Sequence, residues 1–150
     1  MRFTLRVFVL LILGACSNAD RSPAEAETII GDSVLAWNTN ADSMIMVRDK
    51  TIPDSAITIN RIINGLNQKY PEVHVDFLKQ SGDTAFVEVP DADYLGEQMG
   101  SAGAIAWYAD AVINLTSVSG INYVSFRMDE HSHAGSVVIG RGTYSDWQQQ

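Results

Sequence analysis

Hydrophobic and polar positions along this chain follow two periods, and those periods predict its elements. Val34-Leu35-Ala36-Trp37 is a short apolar run, and Met44-Ile45-Met46-Val47 follows it across the polar stretch Asn38-Thr39-Asn40-Ala41-Asp42. Two such runs around a turn predict a hairpin. Pro53-Asp54-Ser55 suits a helix opening, because proline fits the first turn and Asp or Ser can accept its free amide hydrogens. Ala56, Ile59, Ile62, Ile63 and Leu66 then recur at helical spacing until Pro71 stops the run. Val73, Val75 and Phe77 alternate with His74, Asp76 and Leu78 as a strand does. Ser81-Gly82-Asp83 turns that strand into residues 84–89, a second hairpin. Residues 101–118 form the longest predicted helix, closed at Ser119-Gly120 where a left-handed cap belongs. In the last strand, 121–128, Val124, Phe126 and Met128 share one face; Tyr123, Ser125 and Arg127 share the other. The order β-β-α-β-β-α-β predicts an α+β fold with two helices packed on one mixed sheet.

The long helix has an unusual face. Ala104, Ile105, Tyr108, Ala111, Val112, Leu115 and Val118 make a broad apolar arc. Asp110, Asn114 and Ser117 leave a narrow polar strip, with Trp107 and Ile113 at its edges. A helix on one sheet face needs less apolar surface than this. The other helix and the loops can cover the excess, or a subunit or protein contact can, with Trp107, Asp110 and Asn114 as the candidate interaction surface.

The amino-terminal sixteen residues follow a different logic. Arg2 and Arg6 precede the unbroken apolar run 7–13, and Leu13-Gly14-Ala15-Cys16 ends with the only cysteine in the chain. The run is too short to span a bilayer and has the length and flanks of a secretory signal. The four residues ending at Cys16 resemble the lipobox of bacterial lipoproteins. That resemblance implies cleavage after Ala15, lipid attachment at Cys16, and anchoring in the bacterial envelope outside the cytoplasm. Two or more acyl chains anchor stably, where one holds only marginally. Residues 1–15 are thus expected as signal peptide and 16–30 as lipidated terminus and tether. A single domain is expected over 31–147, with 148–150 as a tail. Residues 17–28 are polar and aperiodic, and twelve such residues span roughly 20 Å root-mean-square.

Charge narrows the partners. Loss of Arg2 and Arg6 leaves 8 of the 10 basic side chains against 18 acidic ones. So acidic a surface repels phosphate backbones, which argues against a nucleic-acid partner. With 46% hydrophobic residues the chain can build a core, and a lone cysteine leaves it no internal disulfide.

Gly82-Asp83-Thr84 with Val87-Glu88-Val89-Pro90, then Ile113-Asn114-Leu115-Thr116-Ser117-Val118, then Gly120-Ile121-Asn122-Tyr123-Val124-Ser125-Phe126, resembles the GerM domain. That family is known from sporulation and germination lipoproteins and related envelope proteins. The segment 53–128 is also similar to the α-β-β-α-β ring-building motif of secretion and sporulation ring proteins. The resemblance covers roughly residues 33–144 and departs at Lys69-Tyr70-Pro71, where family members usually carry Gly-Pro. It implies a non-enzymatic module that binds an envelope protein or its own copies, with no cofactor.

The competing chemistry is sparse. Asp129-Glu130-His131-Ser132-His133 sets two imidazoles beside two carboxylates, so His131 and His133 are weak metal-ligand candidates. On that reading the chain is a small extracytoplasmic metal-binding or hydrolytic protein. Two imidazoles supply at most two ligands, and a solvated loop explains the same residues. Ser132 and Ser136 lie near histidines without a Gly-x-Ser-x-Gly elbow, and Gly100-Ser101-Ala102-Gly103 lacks the lysine of a phosphate loop. Asn114-Leu115-Thr116 matches a glycosylation sequon by chance inside a helix.

Overall fold

Between Ser81 and Thr84 the chain reverses in a turn whose Gly82 has φ 58°, a left-handed conformation that costs glycine least. This is the expected second hairpin, β3 (Asp76–Ser81) against β4 (Thr84–Val89). The computed structural model describes residues 31–40, 43–128 and 136–149. The first hairpin pairs β1 (Trp37–Asn40) antiparallel with β2 (Ile45–Arg48). Its first strand lies three residues beyond the expected run 34–37. The Val34 amide donates instead to the Arg61 carbonyl, at 2.9 Å, tying that segment to a helix rather than to a strand.

That helix is α1 (Ile59–Lys69). Pro53 opens only a separate 3-10 turn, Asp54–Ala56, because Ile57 is extended (φ −84°, ψ 98°) and interrupts the helical path. Ile62, Ile63 and Leu66 are buried as their spacing requires. Val73 and Val75 are fully buried too, but they precede β3 instead of belonging to it. The Val75 amide donates to Asn67 Oδ1 (2.8 Å) and its carbonyl accepts from Asn67 Nδ2 (3.0 Å). With both backbone groups satisfied by one side chain, Val75 has no need of a sheet neighbour.

A π-helical segment, Tyr94–Gln98, leads into α2 (Gly100–Leu115). Residues 116–118 prolong α2 as tight turns, and Gly120 takes φ 83° at the expected cap. β5 (Tyr123–Met128) then runs parallel to β4, with Val124, Phe126 and Met128 buried. Two further strands were not anticipated. β6 (Val137–Gly140) pairs antiparallel with β5. A 3-10 stretch, Arg141–Trp147, carries the chain to β7 (Gln148–Gln149), which pairs parallel with β2 and so is no free tail.

The fold is α+β, but with two sheets where one was expected: β1-β2-β7 and β3-β4-β5-β6. α2 touches β1 of the first and β5 of the second. Ala106, Trp107, Ala109 and every residue from Asp110 to Leu115 are buried, so the carboxyl-terminal part of α2 is enclosed, while Ser101, Ala102 and Ile105 in its first turns stay exposed. That enclosure accounts for its broad apolar arc: a helix apolar on nearly every side belongs in a core. It also corrects the candidate interaction surface. Trp107, Asp110 and Asn114 are each 0% exposed, and their contacts are made within the chain.

Candidate functional site

Two polar assemblies grow from α2, one along its middle and one at its carboxyl end. In the middle, Asn114 and Asp110 meet the outer edge of β1. β1 turns the backbone of Asn38 toward β2, so the backbone groups of Trp37 and Thr39 point the other way. Asn114 Oδ1 accepts from the Trp37 amide and Nδ2 donates to the Trp37 carbonyl, both at 2.9 Å. The same Nδ2 donates to the Asp110 carbonyl at 2.9 Å. A side-chain amide thereby performs the pairing of a neighbouring strand, and the edge is closed. Asp110 Oδ1 accepts from the Thr39 amide (3.1 Å) and hydroxyl (2.6 Å). Its Oδ2 accepts from Lys69 Nζ at 2.7 Å and from the Tyr70 hydroxyl. Four donors therefore surround one buried carboxylate, which is what a buried charge requires. Burial, then the adjacent Asp110 charge and hydrogen bond, pushes the Tyr70 phenol far above its ordinary range. Tyr70 stays a donor.

At the carboxyl end, Arg141 caps the helix. Its Nη1 donates to the Ile113 carbonyl (2.9 Å), Ser117 Oγ (3.0 Å) and Thr116 Oγ1 (3.3 Å). A cation belongs there, since the helix dipole and unpaired carbonyls are negative at that end. The guanidinium also lies 5.3 Å from the centroid of the Trp37 ring. Beside it opens a cleft of about 360 Å³ whose walls include Trp37, Ile57, Ser119, Arg48 and Asp54. Arg48 Nη1 donates to the carbonyls of Asp49 (2.5 Å) and Ala36 (3.2 Å). Its Nη2 donates to the Ile52 carbonyl (3.0 Å) and Asp54 Oδ1 (3.1 Å). Burial first, then the Arg48 charge, holds the Arg141 pKa below that of free arginine.

Larger clefts of about 500 and 660 Å³ follow α1. Their amides are committed inside the fold: Asn64 to the Asp32 carbonyl, Asn67 to Val75, Gln68 to Ser33. Trp107 Nε1 is the buried side-chain nitrogen without an acceptor among the described residues, and its ring lies against Tyr108 and Phe126.

The other expected site residues fall elsewhere. Cys16, and the loop that carries Asp129, His131 and His133, lie outside the described residues. His74 forms an exposed pair with Asp76 at 3.1 Å. Among the described residues no group of three His, Cys, Asp or Glu side chains is placed to hold a metal ion. No described helix is long and apolar enough to cross a membrane. The sequon at Asn114 is buried. Arg48 and Arg141 had no local signature: each is a lone arginine, and only the tertiary fold brings them to one cleft.

Comparison with known protein families, curated proteins and solved structures gives no match to this chain.

Proposed function

We propose that the chain is a bacterial envelope lipoprotein, held outside the cytoplasm by lipid on Cys16, whose domain binds protein and performs no chemistry of its own. The observation that carries this reading is the amino terminus: two arginines, an apolar run of signal length, and the only cysteine placed after Leu13-Gly14-Ala15. The fate of the charged groups supports the second half. Asp110, Lys69 and Arg48 are spent on internal bonds that hold strands and turns, so they are poorly placed to act on a substrate. The order α1-β3-β4-α2-β5 supports the ring-building-motif part of the resemblance, and with it an assembly role.

Fatty-acid labelling of the full chain tests the anchor. The wild type should incorporate label and fractionate with membranes, whereas Cys16→Ser should carry none and retain residues 1–15. Label on the Cys16→Ser protein, or none on the wild type, would overturn the reading.

A further inference from the structure

The cleft at the end of α2 inverts the charge of the molecule around it. The chain carries a formal charge of −8, yet two of its ten basic residues face this one cavity. The acid there, Asp54, has a side chain 97% exposed and bonds Arg48. It compensates Arg48, and among the described residues no carboxylate pairs with Arg141.

The two guanidiniums differ in what they have left to give. Arg48 makes four hydrogen bonds through Nη1 and Nη2 and is 17% exposed. Arg141 makes all its bonds through Nη1, and its Nε and Nη2 find no acceptor among the described residues. Those two nitrogens form the edge of a guanidinium whose N–H groups run parallel and match both oxygens of a carboxylate. Thr116 and Ser117 cannot supply further donors, because their hydroxyls already donate to the carbonyls of Val112 (2.6 Å) and Ile113 (2.8 Å). Ser119, exposed on the rim, can.

Apolar surface completes the cleft. The Trp37 ring and Ile57 line it, and both are nearly buried. At about 360 Å³ it lies at the small end of ligand-site volumes. We propose that this cleft binds a carboxylate carried on a short apolar group. The Nε–Nη2 edge of Arg141 takes the two oxygens, and Trp37 and Ile57 take the apolar part. The inference is independent of the lipid anchor, since it uses only residues of the folded domain.

Two sources offer that chemistry, a free short-chain acid and the terminal carboxylate of a peptide. Calorimetric titration of the full chain with N-acetyl-Ala-Ala, its terminal amide, butyrate and chloride separates them. The peptide acid should bind, and its amide about tenfold or more weakly, the factor expected when a charge-assisted bidentate contact is lost. Butyrate matching the peptide acid would identify a free acid as the ligand; the peptide acid alone would identify a chain terminus. Arg141→Gln should abolish binding. Should that variant fail to fold, two surface changes decide instead: Asp54→Asn, which removes a like charge from the rim, should tighten binding several-fold. Ser119→Phe should block the cleft. No binding by either acid, equal binding of acid and amide, chloride binding as tightly as the acids, or affinity unchanged in both Asp54→Asn and Ser119→Phe, would overturn the proposal.

Discussion

The two helices grip adjacent pieces of the same stretch of chain, and they do so by opposite means. α1 meets residues 34 and 35 through a missing side chain. At Gly65 an added Cβ would lie 2.7 Å from the Val34 carbonyl oxygen and 3.0 Å from Leu35 Cγ. α2 meets residues 37 and 39 through long polar side chains, Asn114 and Asp110, that replace a strand partner. The polar positions of α1 lie partly in water even where they bond neighbouring segments, as Asn64 does Asp32 and Asn67 does Val75, while Asp110 and Asn114 of α2 are wholly buried against a strand. A polar strip on a helix therefore marks solvent only when no backbone edge needs to be satisfied beside it.

Removing the carboxylate of Asp110 should break this comparison hardest. Asp110→Ala leaves the Thr39 amide and the Lys69 ammonium without their partner, and should cost about 3–5 kcal/mol in denaturant unfolding. A loss below about 1 kcal/mol would show that water reaches the site. Gly65→Ala tests the other grip. The crowding atom is backbone, which cannot rotate away, so a cost of about 1–3 kcal/mol is expected from the same measurement.

Tyr70→Phe is a smaller step with a pH signature. Loss of a donor to a buried carboxylate should cost about 1–3 kcal/mol near neutral pH. The Tyr70 pKa is raised above its ordinary 10.0, so the folded state holds the phenolic proton more tightly than the unfolded chain. Its stabilisation is complete below pH 10 and is lost as the pH climbs toward the folded-state value. The wild type should lose stability above pH 10 more steeply than Tyr70→Phe. Tyr108 and Tyr144 are also raised by burial, so the variant's slope should shrink without vanishing. Least of all should follow from Asn60→Ala on the exposed side of α1, a change within about 0.5 kcal/mol. A cost near that of Asp110→Ala would erase the distinction between the helices.

Local signals were legible where an element's own residues decide its shape. The alternation in β5 sorts its buried from its outward residues correctly, because one face packs on a core. Gly82 and Gly120 mark real left-handed turns. Signals failed where distant groups decide. Nothing near Asn38 announces a strand, since β1 is completed by side chains more than seventy residues away. β7 consists of two glutamines with no strand propensity to offer, placed by pairing with Met46 and Val47. The start of α1 is not legible locally, because Pro53 does open a helical turn, though not the one that continues. Asp110 and Asn114 stand out in the sequence as polar positions in apolar surroundings, but the pattern alone does not say whether the rest of the fold or a partner covers them; the structure buries both against β1. The Arg48–Arg141 cleft was not legible at all, being a meeting of residues 93 positions apart.

The bond between Asn114 and the Trp37 amide spans 77 residues, and this orders events in time. Closing so long a loop costs entropy before any contact rewards it, and folds rich in such closures assemble slowly. A chain emerging amino terminus first presents β1 and β2 long before α2 exists to seal their edge. Until then Trp37 and Thr39 offer open backbone groups to any passing strand. The interval before α2 arrives is when this protein is most exposed to mispairing, and the first hairpin is where that mispairing should begin.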